Sequence, residues 1–320
     1  DDLVKAIIDQ FANFTYDEKY KAFTEKFNYL DDAHAARRVI EKTIKTDLGP
    51  AFRFYKWVIH TKNVIRKSFR DGYIAFSGML RCMGLCRTEN SKLLYSYKNK
   101  HKGQRCFLVG NGPSMRLSDL EGLQKNGEIT FGCNLVTKAF EQTTWRPDYY
   151  FLIDRICAKF QSEEINKAIG DIPLFTNITT YNIFREKPKN PVILYNIAKD
   201  KYKVKRSPLA YYIPSGSTVM SLMIEMAVYM GFSEIYLIGC DCTSTFTGNT
   251  HFINGYTDDK LKQRDAKKIV DRMRRLGIQS DDYEKYFLDG SLNAYTLLKE
   301  HAIKHHVKIF NATRGGALEV

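Results

Sequence analysis

The sequence predicts an α/β protein: a Rossmann-like, mainly parallel sheet flanked by helices, preceded by an all-helical N-terminal region. Three observations carry that expectation. From about Arg105 onward, short apolar runs of strand length alternate with longer amphipathic stretches. Phrases rich in glycine, asparagine and serine fall directly after several of those runs. Before Arg105 the apolar residues recur at helical spacing instead. The expected division is a helical, basic region over residues 1–104 and an α/β domain over residues 105–320.

In the front region, Leu3, Ile7, Ile8 and Phe11 mark one amphipathic stretch, and Tyr20, Phe23, Phe27 and Leu30 a second. Asp31 and Asp32 offer a cap for a third, which holds Ala35, Val39, Ile40 and Ile44. Gly49-Pro50 breaks the pattern before another amphipathic stretch from Phe52 to Arg70. The strands expected after it are Cys106–Val109, Ile129–Phe131, Tyr149–Ile153, Pro173–Phe175, Val192–Tyr195, Ile235–Ile238 and Val307–Phe310. Helices are expected at Ser217–Met230 and Leu292–Lys304, with Met220, Met223, Met226 and Met230 on the buried side of the first.

With 44% apolar and 13% aromatic residues, the chain has ample material for a core, which excludes a disordered protein. It has no continuous apolar run of about 18 residues, so no membrane span is expected. It opens at Asp1 and stops at Val320 inside an apolar phrase, so both ends are expected to be trimmed from a longer chain. Seven cysteines, most in apolar phrases, read as reduced core thiols of a cytosolic protein. Neither Cys82 with Cys86 nor Cys240 with Cys242 has a second pair to complete a zinc site, so no metal is expected.

The formal charge of +13 is local: residues 51–105 hold 13 basic and 2 acidic side chains, whereas residues 106–320 hold 28 and 24. No nucleic-acid-binding motif accompanies it, and no nucleic-acid partner is expected. Phe52, Phe54, Tyr55 and Trp57 are interleaved with Arg53, Lys56, Lys62, Arg66, Lys67 and Arg70. That mixture suits docking of residues 52–105 on an anionic membrane surface. An amphipathic helix packed on the α/β domain, its basic face in water, explains it equally well.

Parallel sheets bind ligands at the carboxyl ends of their strands. The first expected strand runs into Gly110-Asn111-Gly112-Pro113-Ser114, which can cradle phosphate or simply turn the chain and cap a helix at Ser114. Met115 stands where a dinucleotide fingerprint has its third glycine, and no GxxxxGK[ST] loop is present. The second strand leads to Asn134 and the third to Asp154, each a candidate for base or sugar contacts or for a turn or cap. Ser215, Gly216, Ser217 and Thr218 open an apolar helix and suit a phosphate or carboxylate, or merely cap it. After the next strand come Asp241 and then His251, a loop histidine suited to general-base work or to a solvated surface.

Taken in order, Gly110–Ser114, Gly132-Cys133-Asn134, Ser215-Gly216-Ser217, Glu234–Asp241 and His251 resemble the family 42 bacterial sialyltransferases. They resemble still more closely the MptE-like domain of motility accessory factors and polysaccharide-locus proteins, as does the closing phrase Asn311–Glu319. The resemblance covers about residues 105–320. It implies a metal-free transferase without a bound cofactor, taking a CMP-activated nonulosonic acid as donor and a glycan or glycoconjugate as acceptor. Apart from the resemblance, the reduced thiols and the basic stretch lead to the expectation of a cytoplasmic protein, peripheral at the inner face of the cell membrane, with the helical front a lid, an oligomer interface or a membrane foot. Asn111 and Asn134 would hold ribose and cytosine, Ser215 to Ser217 the donor's phosphate or carboxylate, and His251 would deprotonate the acceptor. Asp154 stands where those sialyltransferases carry asparagine, and the arginine they keep before the Ser-Gly pair is replaced by Ile213-Pro214. Other MptE-like proteins are archaeal pterin pyrophosphokinases, a reading in which Asp154 and Asp241 would hold Mg²⁺ for ATP. A basic, non-catalytic scaffold is the third reading.

Overall fold

All seven expected strands are present, and they form one parallel sheet. The computed structural model describes residues 50–85, 88–195, 218–242, 251–253 and 279–315, with single positions 18, 22, 270, 271, 273, 274, 277 and 318. The helices expected over residues 3–44 fall almost wholly outside the described residues, as do Ser215, Gly216 and Ser217.

The strands are β1 (Arg105–Val109), β2 (Ile129–Cys133), β3 (Tyr149–Phe151), β4 (Leu174–Asn177), β5 (Pro191–Leu194), β6 (Glu234–Ile238) and β7 (Lys308–Asn311), in the order β5-β4-β3-β2-β1-β6-β7. The described helices are α1 (Pro50–Cys82), α2 (Glu89–Tyr97), α3 (Leu117–Lys125), α4 (Arg155–Phe160), α5 (Ser162–Ile169), α6 (Ile178–Tyr181), α7 (Val219–Tyr229) and α8 (Ser280–Lys304). A 3₁₀ segment, Asn134–Glu141, follows β2.

Alternation along each strand sends side chains to two separate cores. In β1, Cys106 and Leu108 join the core with α2, α7 and α8, whereas Val109 joins Leu120 and Leu123 of α3. Both faces are therefore covered, which is why the strands read as nearly continuous apolar runs. Aromatic rings run from strand to strand. Phe131, Phe151 and Phe175 stack at 5.2 and 4.8 Å across β2, β3 and β4, and Phe107, Tyr236 and Phe310 at 5.0 and 4.9 Å across β1, β6 and β7.

The chain divides into two compact units, Asp1–Asp71 and Gly72–Val320. The second starts upstream of the boundary expected at residue 105, because α2 is part of its core. Leu94 and Tyr97 are buried there, and Asn90 bonds the Ile193 backbone in both directions, at 2.7 and 2.9 Å.

Every residue of α7 from Val219 to Val228 is buried, so the methionines expected on one side belong to a helix buried all round. That burial includes Glu225. His301 Nε2 of α8 lies 3.4 Å from its Oε2, and His301 in turn meets the His305 ring. Burial pushes the Glu225 carboxyl up from 4.5 to about 8, so it is protonated at neutral pH.

A raised folded-state pKa contributes stability that is complete below the unfolded pKa and is lost as pH rises through the folded value, here between about pH 4.5 and 8. Glu225→Gln keeps the shape and cannot ionise. Urea denaturation from mildly acidic to mildly alkaline pH should show the variant gaining on the parent as pH rises. The gain should reach at most about 1.4 kcal/mol for each step of one in pH between those limits. A constant difference across that range would refute the buried neutral carboxyl.

Candidate functional site

From β1 the chain moves outward to β5 and then returns to the other side of β1 as β6. The reversal lies between β1 and β6, where the loops leave in opposite directions and open a crevice at the strand ends. The two loops that meet there are Gly110–Ser114 and Gly239–Asp241.

Their backbones are bonded directly. Gly110 N–H donates to the Ile238 carbonyl at 2.8 Å, and Gly112 N–H to the Gly239 carbonyl at 2.9 Å. Only glycine fits in such contact: a Cβ on Gly110 would stand 2.2 Å from the Gly239 oxygen, and one on Gly112 1.8 Å from Asp241 Oδ2. Asp241 is buried, and its carboxylate accepts from Ser114 N–H at 3.2 Å and from the Ser114 hydroxyl at 3.0 Å. That carboxylate thus staples one loop to the other.

A third segment braces both. Beyond β7, Ala312 N–H donates to the Leu237 carbonyl at 2.8 Å, and Cys240 N–H donates to Thr313 Oγ1 at 3.0 Å. Arg314 forks onto both Asp119 oxygens at 2.5 and 2.6 Å and reaches the Ser114 carbonyl at 3.5 Å. The Arg314 guanidinium, hydrogen-bonded to Asp119, holds that carboxyl below the usual carboxylate range.

Above the joined loops lies a cavity of about 330 Å³. Its walls are Gly110 to Pro113, Cys133 and Asn134 after β1 and β2, and Gly239 to Cys242 after β6. Thr218 to Met220, His251, and Ser291 and Tyr295 of α8 complete it. A second hollow of about 370 Å³ lies beside the same loops, with Ser114, Asp119 and Arg314 in its wall, but Asn111, Asn134 and His251 do not line it.

Two residues that line the first cavity carry buried amide oxygens without partners among the described residues. Asn111 Nδ2 donates to the Cys133 carbonyl at 3.1 Å, which leaves its buried Oδ1 unpaired. Asn134, held at φ +50° with its carbonyl accepting from the Tyr150 hydroxyl, also has a buried, unpaired Oδ1. A buried acceptor left unpaired costs about 1–3 kcal/mol, which a ligand with N–H or O–H donors would recover.

His251 is brought beside Asn111 by its neighbour, because Phe252 N–H donates to the Asn111 carbonyl at 3.2 Å. Burial lowers its pKa to about 4, so the imidazole is neutral at pH 7 and able to accept a proton. Thr218 caps α7 by accepting from Met220 N–H at 3.1 Å, and the buried Tyr295 hydroxyl is hydrogen-bonded to the Thr218 and Cys240 side chains. Burial pushes the Cys133 thiol up to about 12 and the Cys242 thiol to about 11, which makes both poor nucleophiles.

Gly110, Asn111, Gly112, Pro113, Asn134, Thr218, Asp241 and His251 therefore meet at one cavity. Asp154 does not: its Oδ1 caps α4, accepting from Ile156 N–H at 2.6 Å and Cys157 N–H at 3.2 Å. Ser114 is tied to Asp241 and faces the second hollow. A shared Mg²⁺ site for Asp154 and Asp241 does not fit this geometry. β3 and β6 are three inter-strand spacings apart, about 14 Å, and the Asp241 oxygens are already used. Among the described residues no cluster of three or more His, Cys, Asp or Glu is placed to hold a metal ion.

A family profile described as 6-hydroxymethylpterin diphosphokinase MptE-like matches residues 86–246, half of the chain. The chain belongs to the MptE-like family. A search of curated proteins returned no match. Among solved structures, a mammalian sialyltransferase in complex with Gal-beta-1-3GalNAc-ortho-nitrophenol is similar over 76% of this chain and 86% of its own, at 14% identity and a TM-score of 0.29. The MptE-like match contains both joined loops and Asn134, whereas His251, Tyr295, Thr313 and Arg314 lie beyond it. Sequence reasoning missed Cys133, Cys242, Ser291 and Tyr295 as wall residues and Thr313 and Arg314 as braces. For the last two, the one available signal was the polar phrase directly after β7.

The close approach of the loops in this MptE-like chain makes a specific pattern of variants. Gly110→Ala meets backbone oxygen and should destabilise by about 1–3 kcal/mol or more, unrelieved by other changes. Gly112→Ala meets mainly the Asp241 carboxylate, so adding Asp241→Ala should recover part of its loss. Thermal unfolding of the single and double variants tests this. Equal, additive losses would remove the proposed staple.

Proposed function

We propose that this protein is a glycosyltransferase that moves a sugar, a nonulosonic or sialic-type acid, from a CMP-activated donor to a hydroxyl of a glycan or protein. The observation that carries the reading is the meeting, in one cavity at the β1–β6 reversal, of two unpaired amide oxygens, a helix N-terminus and a neutral histidine.

Each feature matches one requirement of that transfer. A cytidine presents an amino group and ribose hydroxyls, the donors that Asn111 Oδ1 and Asn134 Oδ1 need. The phosphate sits at the start of α7, where Thr218 and the helix dipole favour negative charge. The bond between the anomeric carbon and the phosphate oxygen breaks, its electron pair leaves with CMP, and the acceptor oxygen bonds to the oxocarbenium-like carbon. His251 takes the proton from that acceptor hydroxyl, a contribution of about 100-fold or more. The order of phrases shared with bacterial sialyltransferases supports the choice of donor.

The family's description favours a second reading, diphosphate transfer from ATP to a pterin. That chemistry draws on Mg²⁺ between carboxylates, and Asp154 and Asp241 are too far apart to supply it together.

A thermal-shift series with CMP, UDP, GDP, ADP and ATP, with and without Mg²⁺, separates the readings. Stabilisation by CMP is expected, and stabilisation by ATP with Mg²⁺ alone would sink the transferase. His251→Ala should lower kcat by about 100-fold or more while leaving the CMP shift in place. The pH profile should also split. In the free protein the imidazole titrates near 4, so kcat/KM should be flat from about pH 5 upward. The donor's phosphate raises the imidazole pKa once bound, so the acid limb of kcat should lie at higher pH.

A further inference from the structure

Much of the basicity of residues 52–105 is absorbed inside the second unit. Arg81 is buried, with its guanidinium 3.9 Å from the Tyr195 ring centroid. Lys100 lies over the Tyr97 ring at 4.9 Å, and Arg105 donates to Glu128 at 2.9 Å. What remains is concentrated in α1, and α1 presents an unusual surface. Ile65, Phe69, Tyr73 and Phe76, spaced four, four and three residues apart, are 51%, 78%, 74% and 57% exposed. Val58, seven residues before Ile65, extends the same face. Lys62, four residues after Val58 and three before Ile65, falls within that stripe and Arg66 at its margin, and both are exposed.

We propose that α1 lies on the surface of an anionic bilayer, with this stripe among the acyl chains and its basic side chains at the headgroups. Charge decides the occupant. Apart from the buried Arg81, residues 50–82 carry six lysines and arginines and a single acid, Asp71. A second copy of the helix laid on the stripe would bring basic side chains against basic ones with no acid to match them. A nucleic acid would answer the charge but leave bulky aromatic and aliphatic side chains in water. An anionic membrane satisfies both at once, because large apolar side chains enter the interface while lysine and arginine reach the phosphates. The helix lies on the membrane and does not cross it: among the described residues no helix is long and apolar enough to span one. Docking of this kind is independent of the reaction catalysed.

Vesicle flotation of the whole chain tests it, using phosphatidylcholine alone and phosphatidylcholine mixed with phosphatidylserine. Binding is expected only with phosphatidylserine, and should weaken in high salt. Lys62→Glu with Arg66→Glu should reduce it more than ~10-fold. Phe69→Ser with Phe76→Ser should also abolish flotation while leaving the thermal unfolding midpoint nearly unchanged, because neither side chain is in the core. Sedimentation of the parent without lipid supplies the counter-test. Equal binding to both vesicle types, no binding to either, or self-association that Phe69→Ser removes would each overturn the proposal.

Discussion

The contact on which the site depends is the one between two loops that leave neighbouring strands in opposite directions. Gly110 and Gly112 donate to the Ile238 and Gly239 carbonyls at distances no larger side chain would permit, and Asp241 closes the arrangement through Ser114. Each of these groups is a satisfied donor or acceptor in a buried place, so the loops form a continuation of the sheet by other means. With that frame fixed, Asn111 has a set position, and His251 is placed beside it through the bond from Phe252 N–H to the Asn111 carbonyl.

The polar inventory of the cavity then sorts by who is already partnered. Asp241 is spent on structure, bonded to Ser114 outside the cavity. Asn111 spends its amide nitrogen on the Cys133 carbonyl and keeps its oxygen. In a region where most groups are paired, two buried amide oxygens want donors, and near them burial keeps an imidazole neutral.

The strands were legible because a sheet covered on both faces needs apolar side chains at nearly every position, and because glycine or asparagine marked several of its carboxyl ends. The loop residues were legible for the same reason. What could not be read was adjacency. Asp154 and Asp241 look alike in the sequence, each just after a strand, but β3 lies three strands from β6, and that order becomes visible only when the sheet is assembled. Tyr295 and Ser291 sit in mid-helix with no local mark of their role. The methionine pattern of α7 pointed to one buried face, and only the packing of α8 against it accounts for its complete burial and for the protonated Glu225 within it.

The brace after β7 has a consequence for when the site exists. Ser114 meets Asp241 across 127 residues of chain, and Arg314 meets Ser114 across 200. During synthesis the first loop emerges long before either partner, and pairings so distant in sequence are the slow ones to form. The strands β1 to β5 can begin to pair while the crevice is still only half walled. The walls of the crevice therefore come together only after β7, the last strand among the described residues, because the segment that follows it braces the first loop.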